Sequence, residues 1–293
     1  EMRRLEDTVG IRPLAERVDV LIDLLSGVHG DILRDDINTH RCDGVGYLML
    51  YQRVDMIGSC REEDDHPSRS KSPYGQPRWL EGDSHVLIAD RYDIWQFAPD
   101  GTSAVNLTYG TGRACRDRFT ITDPQLDTRT ENERRAGIVN PLVPKDLLYF
   151  SVQNEDSQKN GFGSLVPAKA ARTMKYFTDT VSFTSVVKAP GASTVYFQKG
   201  DFRHCYDLFR TDDFFAGCEK LSAINPGMAE YRWGRAELFH WDAYDGTPLK
   251  GLVFIPDDIK PGEKLPVLCY FYEKYANLLY NFWAPAPRSC TED

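Results

Sequence analysis

The sequence has no Cys-x-x-Cys pair. Its seven cysteines, Cys42, Cys60, Cys115, Cys205, Cys218, Cys269 and Cys290, carry no zinc-ribbon or thioredoxin-like spacing. No run of about 18 apolar residues occurs, so no transmembrane helix is expected. Positive charge is scarce: 35 Lys and Arg stand against 44 Asp and Glu, for a net charge of -9. Phosphate binding needs clustered cations, so nucleic acid is not an expected partner. The opening EMRRLEDTVGIRPL has no apolar segment behind its arginine pair and does not read as a signal peptide. It does not begin with Met, so a processed or cut N-terminus is expected. The cell compartment stays open.

What is present is globular. With 293 residues, 41% hydrophobic and 12% aromatic, the chain can form two ordinary domains or one large one. One stretch has strong helical periodicity. In IRPLAERVDVLIDLLSGVHG, Leu14, Val18, Leu21, Ile22 and Leu25 recur every three or four residues, with Pro13 suited to a helix start and Gly27 or Gly30 to its end. GYLMLYQ follows as a short strand candidate, and SCREEDDHPSRSKSP reads as an exposed loop. Glu62, Glu63, Asp64, Asp65 and His66 lie in that loop. Adjacent residues cannot wrap one ion well, so no metal site is expected there.

From about residue 73 to 235 the pattern is all-β. Val86–Ala89, Ile94–Ala98, Leu147–Val152, Ser182–Val187 and Thr194–Gln198 are strand candidates. Pro99-Asp100-Gly101, Asn160-Gly161 and Lys199-Gly200 are turn signals. A weak internal repeat stands out. YDIWQFAPDGTSAVNLT (92–108) matches YDLFRTDDFFAGCEKLS (206–222): both open on Tyr-Asp-apolar-aromatic, and Leu107 and Leu221 fall at the same place. KDLLYFSVQNEDSQKNGFGSLVPAKAARTMKYFT lies between them as a middle unit. Such repeats favour a β-propeller over a β-sandwich, because one blade cannot bury both faces alone.

From residue 236 the pattern changes. ELFHWDAYDGTPLKGLVFIPDDIKPGEKLPVLCYFYEK predicts three strands, with turns at Asp245-Gly246 and Pro261-Gly262. The third, LPVLCYFY (265–272), is apolar on both faces, as a strand between helix layers must be. Cys269 then reads as a buried small side chain. Cys205 and Cys218 could pair across a hairpin, but free thiols are the expected state. His204 and His240 read as ordinary histidines near strand ends. Asn106-Leu107-Thr108 is a glycosylation sequon, and Gly110-Thr111-Gly112-Arg113 a lone glycine pair without nucleotide-loop context. Trp95, Trp233, Trp241 and Trp283 read as packing residues rather than a sugar platform.

The stretches RWLEGDSHVLIADRYDIWQFAPDGTSAVNLT and EYRWGRAELFHWDAYDGTPLKGLVFIPDDIKPGEKLPVLCYFYEK, with the closing APAPRS, resemble the prolyl oligopeptidase family of serine peptidases, close to its dipeptidyl-peptidase-like bacterial members. The resemblance covers about 74–293. It implies a mainly β chain: partial β-propeller blades followed by the first strands of an α/β-hydrolase domain. The implied domains are a divergent region at 1–72, blades at 73–235, and an incomplete hydrolase domain at 236–293.

The family uses a Ser-Asp-His triad with the serine on a G-x-S-x-G elbow. Here GDSHV (82–86), GTSAV (101–105) and GASTV (191–195) all lack the closing glycine, and no histidine follows His240. The resemblance therefore implies a chain cut before its nucleophile and inactive alone. It also implies that Tyr272 is the hydroxyl donor to the reaction oxyanion; the plainer reading of Tyr272 is an interior or edge aromatic. A Glu-Glu pair holds the substrate amino terminus in dipeptidyl peptidases, but Glu62-Glu63 reads as a solvated loop. No cofactor is expected. The implied partner is a peptide substrate of the parent enzyme, and exposed hydrolase-domain strands would favour self-association. The alternative function is a non-catalytic, propeller-like binding module.

Overall fold

Short apolar runs broken by turn residues give short antiparallel strands, and these dominate the computed structural model. It describes residues 74, 75, 77–123, 132, 142, 144–189, 191–212, 217–270 and 274–284. The helical stretch near the N-terminus, GYLMLYQ and the acidic loop with Glu62 to His66 lie outside the described residues. The chain divides into two units: 1–123, 127–151 and 163–175 in the first, and 124–126, 152–162 and 176–293 in the second.

In the first unit, β1 (Arg78–Trp79), β2 (Val86–Ala89), β3 (Ile94–Phe97) and β4 (Ala104–Asn106) form a sheet in sequence order, all antiparallel. All four residues of VLIA in β2 are buried. Val86, Ile88 and Phe97 form a cluster backed by Trp79 and Trp95. The β3–β4 turn forms at Pro99-Asp100-Gly101 as the sequence predicts: Gly101 takes φ 70° and its amide donates to Ala98 O at 2.9 Å. After β4 comes a short helix, α1 (Thr111–Cys115), then β5 (Asp117–Thr122). Phe119 of β5 and Phe150 are both buried, with ring centroids 5.0 Å apart.

A second sheet has the order β5, β6 (Leu148–Asn154), β7 (Asn160–Leu165) and β8 (Lys175–Asp179). Between β7 and β8 lies another one-turn helix, α2 (Ala170–Thr173). A third sheet, in the second unit, runs β9 (Ser182–Lys188), β10 (Val195–Gly200), β11 (Asp207–Thr211) and β12 (Glu219–Lys220). Its core is aromatic: the Phe197 ring lies 5.8 Å from both Phe183 and Phe209.

The sequence repeat has a physical cause. The buried Asp93, just before β3, accepts a hydrogen bond from Thr108 Oγ1 at 2.7 Å, and Thr108 Oγ1 accepts from Ile94 N at 3.1 Å. Leu107 N donates to Ile94 O at 2.8 Å. In the third sheet Ser222 Oγ donates to Asp207 at 2.9 Å and accepts from Leu208 N at 2.8 Å, while Leu221 N donates to Leu208 O at 2.8 Å. Both carboxyls thus clasp a hydroxyl 15 residues on and fix the end of the fourth strand beside the start of the third. Burial differs: Leu107 is 3% exposed and Leu221 43%.

The last element pair is a two-stranded sheet, β13 (Gly234–Asp242) and β14 (Pro248–Pro256), around Asp245-Gly246. Gly246 takes φ 83°, which side chains avoid.

Four sequence expectations are corrected. Asn160-Gly161 and Lys199-Gly200 are not turns but parts of β7 and β10. Glycine is required there by close approach: a β-carbon on Gly161 would lie 1.8 Å from Phe177 O, and one on Gly200 2.7 Å from His204 O. The expected strand at 265–272 is absent over Leu265–Tyr270. Val267 and Leu268 are each 81% exposed, and no strand among the described residues pairs with them. An apolar run becomes a buried strand only where neighbouring strands take up its backbone groups. Cys269, expected to be buried, is exposed with it. Cys205 and Cys218, for which a disulfide is the lesser alternative, are both free thiols.

Candidate functional site

Two of the residues that the sequence singles out, His204 and Trp233, lie at the joint in the second unit where the third sheet hands the chain to the β13–β14 hairpin. The turn between β10 and β11 is tied by Asp201, whose carboxyl accepts from Arg203 N at 2.8 Å and His204 N at 2.9 Å. Its two neighbouring side chains then face the hairpin. Arg203 donates to Gly234 O at 2.9 Å and pairs with Asp257. Phe202 meets Trp233 edge-on at 5.9 Å and Phe254 at 5.3 Å.

Trp233 is the centre of this joint. Its indole N–H donates to Met228 O at 2.8 Å, and its ring lies 5.7 Å from Phe282. Phe282 also meets Tyr206, the tyrosine that opens the second repeat, at 6.4 Å. The β6–β7 turn joins from another side: Lys250 donates to Glu155 O and Tyr280 Oη to Ser157 O, the latter at 3.2 Å. Burial, and then the negative charge of Asp179, push the Tyr280 phenol upward.

Tyr272 lies outside the described residues. The rings of Tyr270 and Tyr275, on either side of it in sequence, meet edge-on at 5.4 Å with their hydroxyls 3.3 Å apart. Glu62, Glu63, Asp64, Asp65 and His66 also lie outside. Among the described residues no group of three metal-ligating side chains occurs. His240 is exposed on β13 opposite Lys250. His204 is exposed, and its Nδ1 lies 2.8 and 2.9 Å from the two carboxyl oxygens of Asp201. This pair has the form of a base and its orienting acid, but no serine or cysteine hydrogen-bonds either histidine among the described residues.

None of the three near-miss elbow serines occupies a strand-to-helix elbow. Ser84 Oγ donates to Glu81 O, Ser103 is in the β3–β4 turn, and Ser193 precedes β10. Gly112 of the lone glycine pair sits against Tyr92 O, where a β-carbon would come to 2.4 Å, so it serves chain packing and not a phosphate. Trp95 donates to buried Asp90 at 3.1 Å. Trp241 stacks on Phe239 at 5.4 Å along an exposed strip of β13.

Sequence reasoning missed the Asp201–His204 pair and the Lys250 and Tyr280 anchors. The first was legible as an Asp three residues before a His, a spacing common to many plain turns. The anchors join residues far apart in the chain and leave no local signal.

The carboxyl of Asp207, which clasps the second repeat, is pushed up by burial. The Lys220 ammonium at 2.5 Å, the Ile224 amide and the Ser222 hydroxyl outweigh that and hold it below the usual carboxylate value.

No family model matches the sequence, and no curated protein matches it. Solved structures do. A dipeptidyl aminopeptidase IV from Bacteroides ovatus ATCC 8483 matches at 12% identity and a TM-score of 0.44, over 72% of this chain and 30% of that one. Puromycin hydrolase matches at 12% identity and 0.40, over 67% of this chain and 29% of that one. Prolyl oligopeptidase B from Galerina marginata matches at 9% identity and 0.37, over 63% and 23%. The chain thus spans less than a third of the length of each of these three proteins. Another structure in the group holds puromycin hydrolase complexed with PGG.

Proposed function

We propose that this chain is part of a prolyl-oligopeptidase-like serine peptidase. Residues 73–235 supply propeller blades, and 236–293 begin the hydrolase domain. The observation that carries this reading is the recurring clasp. Two four-stranded meanders close through a carboxyl and a hydroxyl 15 residues apart, and a hairpin and a Pro-Gly turn follow where the family crosses between domains.

In the complete enzyme a peptide carbonyl is attacked by the elbow serine, His takes the serine proton, and the Tyr272 hydroxyl donates to the oxyanion that forms. Such a donor accelerates the step because it is already aimed at charge that exists only in the transition state. This chain has no elbow, so Tyr272 has no reaction to assist in it. The turn at Asp201–His204 and the Trp233 cluster serve to hold the hairpin in place.

The test is labelling of the pure chain with a fluorophosphonate probe, followed by peptide mapping. No labelled serine is the expected result. One modified serine at a single position, with hydrolysis of a prolyl amide, would refute the assignment.

A second reading, a non-catalytic interaction module, is favoured by the exposed Phe239–Trp241 strip and by Leu265–Tyr270, which present apolar surface to a partner, a second copy included. The gene separates the two. A reading frame that continues into G-x-S-x-G supports the peptidase, and a natural stop after Asp293 supports the module.

A further inference from the structure

Asn160-Gly161 reads as a turn in the sequence and is strand in the structure, and the difference has chemical consequences. An asparagine before glycine is prone to lose its side-chain amide, because no β-carbon shields the following peptide nitrogen. Here that reactivity is restrained. Gly161 is buried, in extended backbone, against Phe177 O. Asn160 Nδ2 donates to Gln158 O and to Val181 O, each at 3.2 Å. Cyclisation needs Gly161 N to swing onto Asn160 Cγ. The extended strand and the two held hydrogen bonds oppose that rotation.

We infer that Asn160 is a deamidation site gated by the fold: β7 keeps the amide intact, and local opening of β7 releases it to react. In the step, Gly161 N loses its proton to solvent base and bonds to Asn160 Cγ. The Cγ–Nδ2 bond breaks and ammonia leaves. Water then opens the resulting succinimide at either carbonyl, giving aspartate or isoaspartate at position 160. Water is the only co-reactant, and nothing is oxidised or reduced.

The product cannot restore the starting contacts. A carboxylate at 160 has no hydrogen to donate and faces the carbonyl oxygens of Gln158 and Val181. Val181 lies in the link between β8 and β9, so the tether on that link is lost once the amide is gone. The site thus converts a transient opening into a lasting one. The two exposed Asp-Gly turns among the described residues have no amide to lose and could reach the same ring only by losing water. Hydrogen bonds from Thr102 and Thr247 hold the Asp100 and Asp245 carboxyls below their ordinary value, and an ionised carboxylate is a poor electrophile.

The experiment uses the whole chain, incubated at mildly alkaline pH in buffer and in parallel in urea, with peptide mapping of position 160 over time. Conversion in urea is expected to be at least about tenfold faster, since an opening that costs one decade of population slows the native reaction by one decade. Equal rates in the two conditions would overturn the gate. So would an Asn160 that survives in urea while other asparagines convert. Hydrogen exchange of the Asn160→Asp variant supplies a second readout: faster exchange is expected around the β8–β9 link, and an unchanged profile there would overturn the lost tether.

Discussion

Thr108 offers a direct test of the clasp that repeats through the sheets. It is fully buried, and its hydroxyl donates to Asp93 at 2.7 Å, lies 3.0 Å from Asn106 Oδ1, and accepts from Ile94 N at 3.1 Å. Thr108→Val keeps the shape and removes the hydroxyl. Ile94 N is then left buried without that acceptor, a loss of about 1–3 kcal/mol. Asp93 also loses one of three donors, keeping Gly112 N at 3.2 Å and Arg113 N at 3.3 Å. A hydrogen bond to a carboxyl adds roughly 1.5 kcal/mol or more, so a total of about 3 kcal/mol is expected. Ser222→Ala removes the equivalent hydroxyl in the third sheet. Ser222 is only half-buried, and water can replace it, so about 1 kcal/mol is expected there. The assay is urea unfolding of the wild type and both variants, read as a midpoint shift at unchanged slope. Equal shifts for the two variants, or a Thr108→Val loss below about 1 kcal/mol, would refute the reasoning that burial sets the value of the clasp.

Two further outcomes are expected. Gly161→Ala forces a β-carbon to within 1.8 Å of Phe177 O and should destabilise the chain by roughly 2–4 kcal/mol, seen as a lowered Tm in calorimetry; a Tm equal to wild type would show that β7 and β8 can separate freely. Asp207 titrates below its ordinary value of 3.8 in the folded chain, so its contribution is present above that pH and is lost as pH falls through the folded value. Asp207→Asn should therefore flatten the acid limb of a stability–pH curve, and an unchanged limb would exclude the Lys220 pairing as its source.

Much of the fold was legible in the sequence. The apolar runs at Val86–Ala89 and Leu147–Val152 predict strands, because a run of that length has one favourable place, inside a sheet; the second strand is observed at Leu148–Asn154. Pro99-Asp100-Gly101 and Asp245-Gly246 predict turns, because their backbone preferences are local. Asn160-Gly161 misled for the same reason. Local preference allows a turn there, and only the carbonyl of Phe177, from a strand 16 residues on, demands a glycine in extended backbone. Leu265–Tyr270 misled in the opposite direction: its composition suits a buried strand, yet burial depends on partners that no local pattern contains.

The candidate site divides along the same line. Composition and spacing settled what the chain lacks, a nucleophile elbow and a histidine after His240, since these are matters of which residues occur. They also settled the strand-turn-strand repeat, which follows from residues near one another in the chain. The tertiary structure alone decided that Asp93 and Asp207 hold hydroxyls 15 residues away, that Trp233 gathers Phe202 and Phe282, and that Lys250 reaches Glu155. A hydrogen bond or ring contact acts over a few ångströms, and only folding brings residues so distant in sequence within that reach.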